Sequence, residues 1–259
     1  MKTIREHGQL DRLSLFGAFL ALAAIFFGNY LEGGSFTTLI NLPAAIIVIG
    51  GTLGAALLQT PVDRIGHAFA VMRWVFYPPT ASIKDGINQV SNWGKIAHQK
   101  GLIGLEDLAN KEKDQFAKLG LQMLADGHDP QRIRVYLETE LIGFENAHSD
   151  AAKFYACMGG YAPTVGIIGA ILGLIHVMDN LADPAELGSG IATAFVATIY
   201  GVGLANLLLL PIANKIQSTI NKISLYKEMI LHGIIYIADG ESPANIKQKL
   251  QAYLETPLA

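Results

Sequence analysis

The sequence predicts an all-α integral membrane protein with four transmembrane helices. Its helical cytoplasmic domain is formed by the loop between spans two and three together with the C-terminal tail. Three observations predict this fold: four apolar runs without charge, basic residues confined to three of the five connecting segments, and helical periodicity in the long polar segment. The chain has 51% hydrophobic residues and only 16% charged residues. A soluble protein usually has about 25% charged residues, so this chain is less charged and more apolar.

The predicted spans are residues 13–31, 38–60, 154–178 and 187–214, and none contains Asp, Glu, Lys or Arg. About 20 apolar residues at ~1.5 Å each cross a hydrocarbon core of ~30 Å. Buried helices of a soluble domain rarely stay uncharged for so long, so that alternative is disfavoured. The first run lacks a small-residue cleavage site, and we expect a retained anchor rather than a removed signal peptide.

The basic residues set the orientation, because Lys and Arg near span ends stay on the cytoplasmic side. Three precede the first span, eleven lie between spans two and three, and five follow span four, which accounts for all 19. The two remaining loops carry only acidic charge. Segments 1–12, 61–153 and 215–259 are therefore predicted to be cytoplasmic, both termini included.

Composition excludes several classes of function. The net charge of −3 and the lack of a basic block with interleaved aromatics argue against a nucleic-acid partner. The single cysteine, Cys157, excludes an intramolecular disulfide and a Cys-rich metal site. We expect neither enzymatic activity nor a cofactor or metal.

The cytoplasmic segments are predicted to fold as one helical layer. Apolar residues three and four apart over residues 83–98 indicate an amphipathic helix. The stretches ADGHDPQRIRVYLETEL, from Ala125, and ADGESPANIKQKLQAYL, from Ala238, share one pattern. Internal duplication or recurrent turn chemistry explains it, the second being simpler. The pattern predicts glycine C-caps, polar N-caps and prolines in the first helical turn, namely Gly127 with Asp129 and Pro130, and Gly240 with Ser242 and Pro243.

The spans contain no carboxylate and no Lys or Arg, the side chains that most often carry ions across a membrane. His176 lies near the end of span three, where an interfacial histidine is expected rather than a relay. Ion passage would therefore need a carboxylate from another chain. The GxxxG pairs Gly169/Gly173 and Gly50/Gly54 permit close helix approach, either within one chain or between chains.

Pro163 and Pro211 interrupt spans three and four near their cytoplasmic ends. Pro163 removes the hydrogen bond to the carbonyl of Gly159, so the helix is weakened there. Such prolines are either tolerated kinks or parts of a device that couples intramembrane events to the cytoplasmic domain.

Four spans paired as two hairpins, the loop of about 90 residues, and the runs YAPTVGIIGAILGLIHVM and ADPAELGSGIATAFVATIYGVGLANLLLLPIANKI resemble the A-type subunits of the flagellar stator. These form the MotA/PomA/MotC group of the MotA/TolQ/ExbB superfamily. The resemblance implies a homo-oligomeric ring, which we expect to be a pentamer, around a MotB-like B-type partner that supplies the channel aspartate and a peptidoglycan anchor. It also implies contact with the rotor protein FliG.

The resemblance assigns roles to individual residues. Pro163 and Pro211 match the functional prolines of the family. Its rotor-facing motif is a basic residue followed eight positions later by a glutamate; the glutamate matches Glu106, but the basic position falls on His98. Either His98, when protonated, or Lys100 is expected to carry the positive charge. Asp107 adjoins this rotor-contact set.

Ion choice follows from two positions on the predicted ion path. Sodium-type members resemble one another in having threonines on spans three and four. This chain has Ala170 at the first position and keeps Thr198 at the second. Because alanine offers no oxygen to a cation, proton coupling is expected. The alternative function is an energiser resembling ExbB or TolQ, but those proteins typically have three spans; a purely structural scaffold leaves the prolines unexplained.

Overall fold

The computed structural model describes residues 4–5, 10–179 and 184–255, and these residues are overwhelmingly helical. The one strand pairing within them is short: β1 (Ile4–Arg5) lies antiparallel to β2 (Thr80–Ala81). The predicted N-terminal segment 1–12 and the loop before residue 187 fall partly outside the described residues.

The helices of the first half alternate with short tight turns. In chain order they are α1 (Arg12–Leu31), a 3-10 turn (Phe36–Leu39), α2 (Leu42–Ala45), a π turn (Ile46–Gly50), α3 (Gly51–Gln59), α4 (Val62–Met72), a 3-10 turn (Arg73–Val75), α5 (Ile83–Lys100), a 3-10 turn (Leu102–Leu105), α6 (Glu106–Lys111) and α7 (Gln115–Ala125).

Two long helical segments dominate the second half. The elements are α8 (Pro130–Asp179), α9 (Pro184–Gly203), a π turn (Leu204–Leu209), α10 (Leu210–Ala238), α11 (Pro243–Leu250) and α12 (Ala252–Glu255). The chain divides into two compact units. The membrane bundle comprises residues 10–76 and 150–216. The loop–tail domain comprises residues 4–5, 77–149 and 217–255, and the pairing of β1 with β2 lies within it.

Four helical segments are long and apolar enough to cross a membrane, which confirms the predicted all-α fold with four transmembrane helices. They are Arg12–Leu31, Leu42–Gln59, and parts of Pro130–Asp179 and Leu187–Ala238. The second begins at Leu42, whereas the predicted span begins at residue 38. The reason is local, because the Asn41 side chain accepts from the amide of Ala44 at 2.9 Å and Pro43 favours the first helical turn.

The start of α1 is fixed by Asp11. Its carboxylate caps the helix by accepting from the amides of Leu13 and Ser14, at 3.1 and 3.3 Å. Lys215 donates to the same carboxylate, and the amide of Asp11 donates to the carbonyl of Phe76. These contacts anchor the first turn of α1, and none of its 20 residues is buried within the bundle.

The loop–tail domain has one apolar core to which both of its segments contribute. The loop supplies residues such as Ile87, Val90 and Leu121, and the tail supplies residues such as Ile234 and Leu250, all at most 2% exposed. Burying each such side chain stabilises the fold by about 1.5–3 kcal/mol. The predicted packing of the tail on the loop is therefore confirmed.

The two repeated turns have matching geometry. Gly127 and Gly240 adopt φ of 73° and 74°, and each begins a helix C-terminal motif of the Schellman type. Asp129 accepts from the amide of Arg132, and Ser242 accepts from the amide of Asn245. The next helices begin at Pro130 and Pro243. The predicted turn chemistry is confirmed at both sites, and it is sufficient to account for the shared pattern.

Candidate functional site

Helices α8 and α9 touch through their backbones. A Cβ placed on Gly201 would lie 2.5 Å from the carbonyl oxygen of Ala162 and 3.0 Å from the Cα of Gly166. A Cβ on Gly173 would lie 2.9 Å from the carbonyl oxygen of Gly190. No side chain fits at these places, so the glycines allow the close approach. The GxxxG pair Gly169/Gly173 therefore packs against other helices of the same chain.

The predicted ion-path residues lie at one level of this helix pair. A Cβ on Gly169 would lie 2.9 Å from the Cβ of Ala197, and Ala170 and Thr198 directly follow these two residues. Both Ala170 and Thr198 are partly exposed. The Thr198 hydroxyl donates to the carbonyl of Ala194 at 3.2 Å, which leaves its oxygen lone pairs available. At this level Thr198 contributes a hydroxyl oxygen that can accept a hydrogen bond or bind a cation, and Ala170 contributes only a methyl group.

Residues close to the two predicted prolines contact each other. Helix α8 continues through Pro163, whose missing N–H leaves the carbonyl of Gly159 without its helical donor. A Cβ on Gly159 would lie 2.7 Å from Cδ2 of Leu210 and 3.5 Å from its backbone nitrogen. Leu210 immediately precedes Pro211. The weakened places of spans three and four therefore touch, where the sequence indicated only a similar depth.

A π turn, Leu204–Leu209, ends two residues before Pro211. π turns in α-helices occur frequently at functional sites and are a recognised cause of kinks. A second π turn, Ile46–Gly50, lies in span two, where Val48 is fully buried against a cluster that includes Val196 and Ala197. Sequence reasoning missed both turns; Pro211 was the only local signal for the first.

A polar clamp, defined by Asn41, Thr193 and Tyr200, joins spans two and four. The amide of Asn41 donates to the Tyr200 hydroxyl at 3.2 Å, and that hydroxyl donates to the carbonyl of Leu39 at 2.5 Å. The Asn41 side-chain amide donates to the Thr193 hydroxyl at 2.8 Å. The chain is not helical just before α2, so the amide of Asn41 and the carbonyl of Leu39 need other hydrogen-bond partners. The Tyr200 hydroxyl supplies them, whereas lipid would offer none.

The predicted rotor-contact residues flank one tight turn of the loop–tail domain. His98 and Lys100 lie in the last turn of α5, and Glu106 and Asp107 lie in the first turn of α6. All four are exposed, and within the described part of the chain none forms a salt bridge. The charges of Lys100, Glu106 and Asp107 are each favourable for the dipole of their own helix. The turn thus presents a basic and an acidic end to solvent.

A partly buried charge pair lies elsewhere in the loop–tail domain. Lys227 places its ammonium 4.2 Å from the ring centroid of Phe144 and 4.9 Å from that of Phe116. Burial lowers the pKa of Lys227, and burial raises the pKa of Asp114, while their mutual attraction opposes both shifts. One oxygen of Asp114, Oδ2, has no hydrogen-bond partner among the described residues. No sequence signal marked this pair.

No metal-binding group of three or more His, Cys, Asp or Glu side chains occurs among the described residues. The fold and the site therefore define a class: a polytopic membrane subunit that contributes a charge-free helix pair, close-packed through glycine, and a separate charged helical domain.

Comparison with known proteins identifies the family. Residues 108–229 match the model of the MotA/TolQ/ExbB proton channel family. Motility protein A of Bacillus subtilis is 34% identical over 95% of this chain and 91% of its own length. The chain therefore belongs to the MotA/TolQ/ExbB proton channel family, in its motility protein A group, which confirms the resemblance seen in the sequence.

Two solved structures are similar throughout. The C. jejuni MotAB structure matches with a TM-score of 0.89 at 28% identity, covering 96% of this chain and 99% of that chain. The flagellar MotAB stator complex of Bacillus subtilis matches with a TM-score of 0.87 at 34% identity, covering 94% of this chain and 96% of that chain.

Proposed function

We propose that this chain is the A-type stator subunit of a flagellar motor. With a MotB-like B-type partner it forms an ion channel, and ion flow through the channel drives torque on the rotor. Its relatives are motility proteins, and its structural neighbours are stator complexes, matched over nearly the whole chain.

The observation that carries the proposal is the charge-free pair of spans three and four. Ion transport through a membrane normally uses ionisable side chains, and these spans have no Asp, Glu, Lys or Arg. The pair therefore forms a wall, and the carboxylate that binds the ion comes from the partner. Close packing at Gly201 brings the backbones of the two helices of this wall into contact.

Each residue set has a part in the mechanism. Thr198 offers the passing ion a hydroxyl oxygen, whereas Ala170 offers none, so the wall lacks the paired oxygens that would replace the hydration shell of a sodium ion. Because a proton needs no such set of oxygens, the coupling ion is the proton. Pro163 and Pro211 form the bend at which a movement of the wall reaches the cytoplasmic side.

The torque is delivered outside the membrane. Glu106 and Asp107, with Lys100 and His98, contact FliG, and His98 adds positive charge only when it is protonated. The subunits form a ring, a pentamer, around the B-type partner. The ring lies in the bacterial inner membrane with both termini in the cytoplasm, an orientation that the distribution of basic residues supports.

An ExbB- or TolQ-like energiser is the alternative. The four membrane-spanning candidates favour a stator over those three-span proteins. The first test deletes the chain together with its B-type partner. Swimming is expected to stop while filaments still assemble; missing filaments, or unchanged swimming with a leaky envelope, would contradict the proposal.

The rotor contact is tested by Glu106→Lys. Rotation is expected to slow or stop because an attractive charge becomes repulsive, and a compensating charge change in FliG is expected to restore it. Glu255→Lys is the matched control, since Glu255 is an exposed carboxylate far along the tail. Equal effects of both substitutions would exclude a specific contact at Glu106.

The coupling ion is tested by swimming speed. A protonophore is expected to stop swimming, and sodium removal is expected to leave it unchanged. A sodium requirement would contradict the argument from Ala170. Ala170→Thr adds a second hydroxyl at the level of Thr198 and is the informative variant for sodium sensitivity.

A further inference from the structure

The turn between the charged ends of α5 and α6 projects one apolar side chain into solvent. Ile103 is 77% exposed, and it is the most exposed large apolar residue among the described residues of the loop–tail domain. Its neighbours behave differently, since Leu105 is fully buried and Leu102 packs against the core. Three of the four residues of this 3-10 turn are apolar, and one of these three points away from the protein.

Two glycines hold the turn in this shape. Gly101 has φ of 73°, in the region that favours glycine, and it ends α5. A Cβ on Gly104 would lie 2.7 Å from the Cβ of Lys100, so the turn is pressed against the last residue of the helix. The exposed position of Ile103 is therefore imposed by a tight backbone path and not by a loose loop.

The charges around Ile103 differ in sign on its two sides. Lys100 lies before the turn, and Glu106 and Asp107 lie after it, all of them exposed. A carboxylate pair on one side is unfavourable against an anionic lipid surface. The pattern suits a protein partner that has an apolar recess between a carboxylate and a basic residue, because apolar anchors ringed by polar contacts dominate many interfaces.

We propose that Ile103 is the apolar anchor of the rotor contact. It inserts into an apolar recess of the rotor protein, while Lys100 and Glu106 pair with opposite charges beside that recess. This inference rests on the proposed function and adds to it a source of affinity that salt does not screen. The charges set the approach and the register, and Ile103 slows dissociation.

The expected effect is large enough to measure. Loss of a buried isoleucine side chain corresponds to an affinity about 10- to 100-fold weaker. The loss should be similar at low and high salt, since apolar contacts are not screened. Neutralising Glu106 should instead reduce the dependence of affinity on salt.

The test measures binding of the purified complex, this chain with its B-type partner, to the rotor protein at low and at high ionic strength. The variants are Ile103→Ala, the conservative Ile103→Leu, Glu106→Gln, and the control Val135→Ala, which truncates another exposed apolar residue at 54% exposure. Because Ile103 is outside the core, Ile103→Ala should leave the melting temperature unchanged. Tethered-cell torque is measured for the same variants.

Support requires that Ile103→Ala weakens binding about 10- to 100-fold at both salt levels. It also requires that Ile103→Leu retains binding and that Val135→Ala has no effect. Normal binding by Ile103→Ala with a changed salt dependence for Glu106→Gln would overturn the anchor and leave the proposed function intact. No effect of either substitution on binding or torque would overturn the proposed rotor contact as well. A change in the mass of the complex would overturn the anchor, because Ile103 would then contact a second copy.

Discussion

Replacing Gly201 by alanine should force α8 and α9 apart. The added Cβ would lie 2.5 Å from the carbonyl oxygen of Ala162, and contacts below 3.0 Å are essentially never seen. The opposing atoms belong to the backbone, so no side chain can turn away, and the helices must separate by roughly half an ångström or more. A gap of that size forfeits about a quarter to a half of each neighbouring dispersion contact. The expected destabilisation is about 1–3 kcal/mol.

Gly203→Ala is the matched control, since Gly203 lies in the same helix and has nothing within 4 Å of an added Cβ. Denaturant or thermal unfolding of the purified complex should separate the two variants, with Gly201→Ala clearly less stable. Swimming speed should fall only for Gly201→Ala, because separation of α8 and α9 moves Ala170 and Thr198 away from each other. Equal stability of both variants would refute the backbone contact between α8 and α9.

Three further predictions concern individual polar groups. Tyr200→Phe should cost about 1–2 kcal/mol in unfolding measurements because it removes a hydroxyl that both accepts from and donates to unwound backbone; no loss would contradict the clamp. Lys227→Met should destabilise by about 1–3 kcal/mol because it leaves Asp114 buried without its counter-charge, and adding Asp114→Asn should restore most of the loss. The hydrogen bond from Lys215 is the main cause that lowers the pKa of Asp11 from 3.8 to about 2. The pair therefore stabilises the protein above pH 3.8 and loses that effect as pH falls through about 2, so a Lys215→Met deficit that persists below pH 2 would contradict it.

Much of the fold follows from local sequence. Absence of charge identified the spans, and apolar periodicity identified the helix that buries Ile87 and Val90. Turn chemistry placed Gly127 and Gly240 at positive φ, because the cap, the left-handed residue and the following proline are all encoded within a few residues. The whole-chain resemblance supplied the family, which composition alone does not define.

The remaining features depend on partners distant in sequence. The start of span two depends on Asn41, yet nothing local revealed that Tyr200, 159 residues later, would meet it. The spacing of Gly169 and Gly173 showed that something approaches closely but not whether it belongs to the same chain. The burial of Lys227 between two rings likewise arises from tertiary packing, whereas its sequence neighbourhood is that of an ordinary amphipathic helix.

The π turn at Leu204–Leu209 has a consequence for the register of span four. A π turn holds one residue more than the α turn it replaces, and each residue advances a helix by roughly 100°. Gly201 meets α8 on one side of the π turn, and Lys215 meets Asp11 on the other. The extra residue of the π turn sets the rotation between these two contacts. Deleting one residue between them would rotate one contact away from its partner, whatever the residue removed. The number of residues between Gly201 and Lys215 is therefore constrained, as well as the identity of the two side chains.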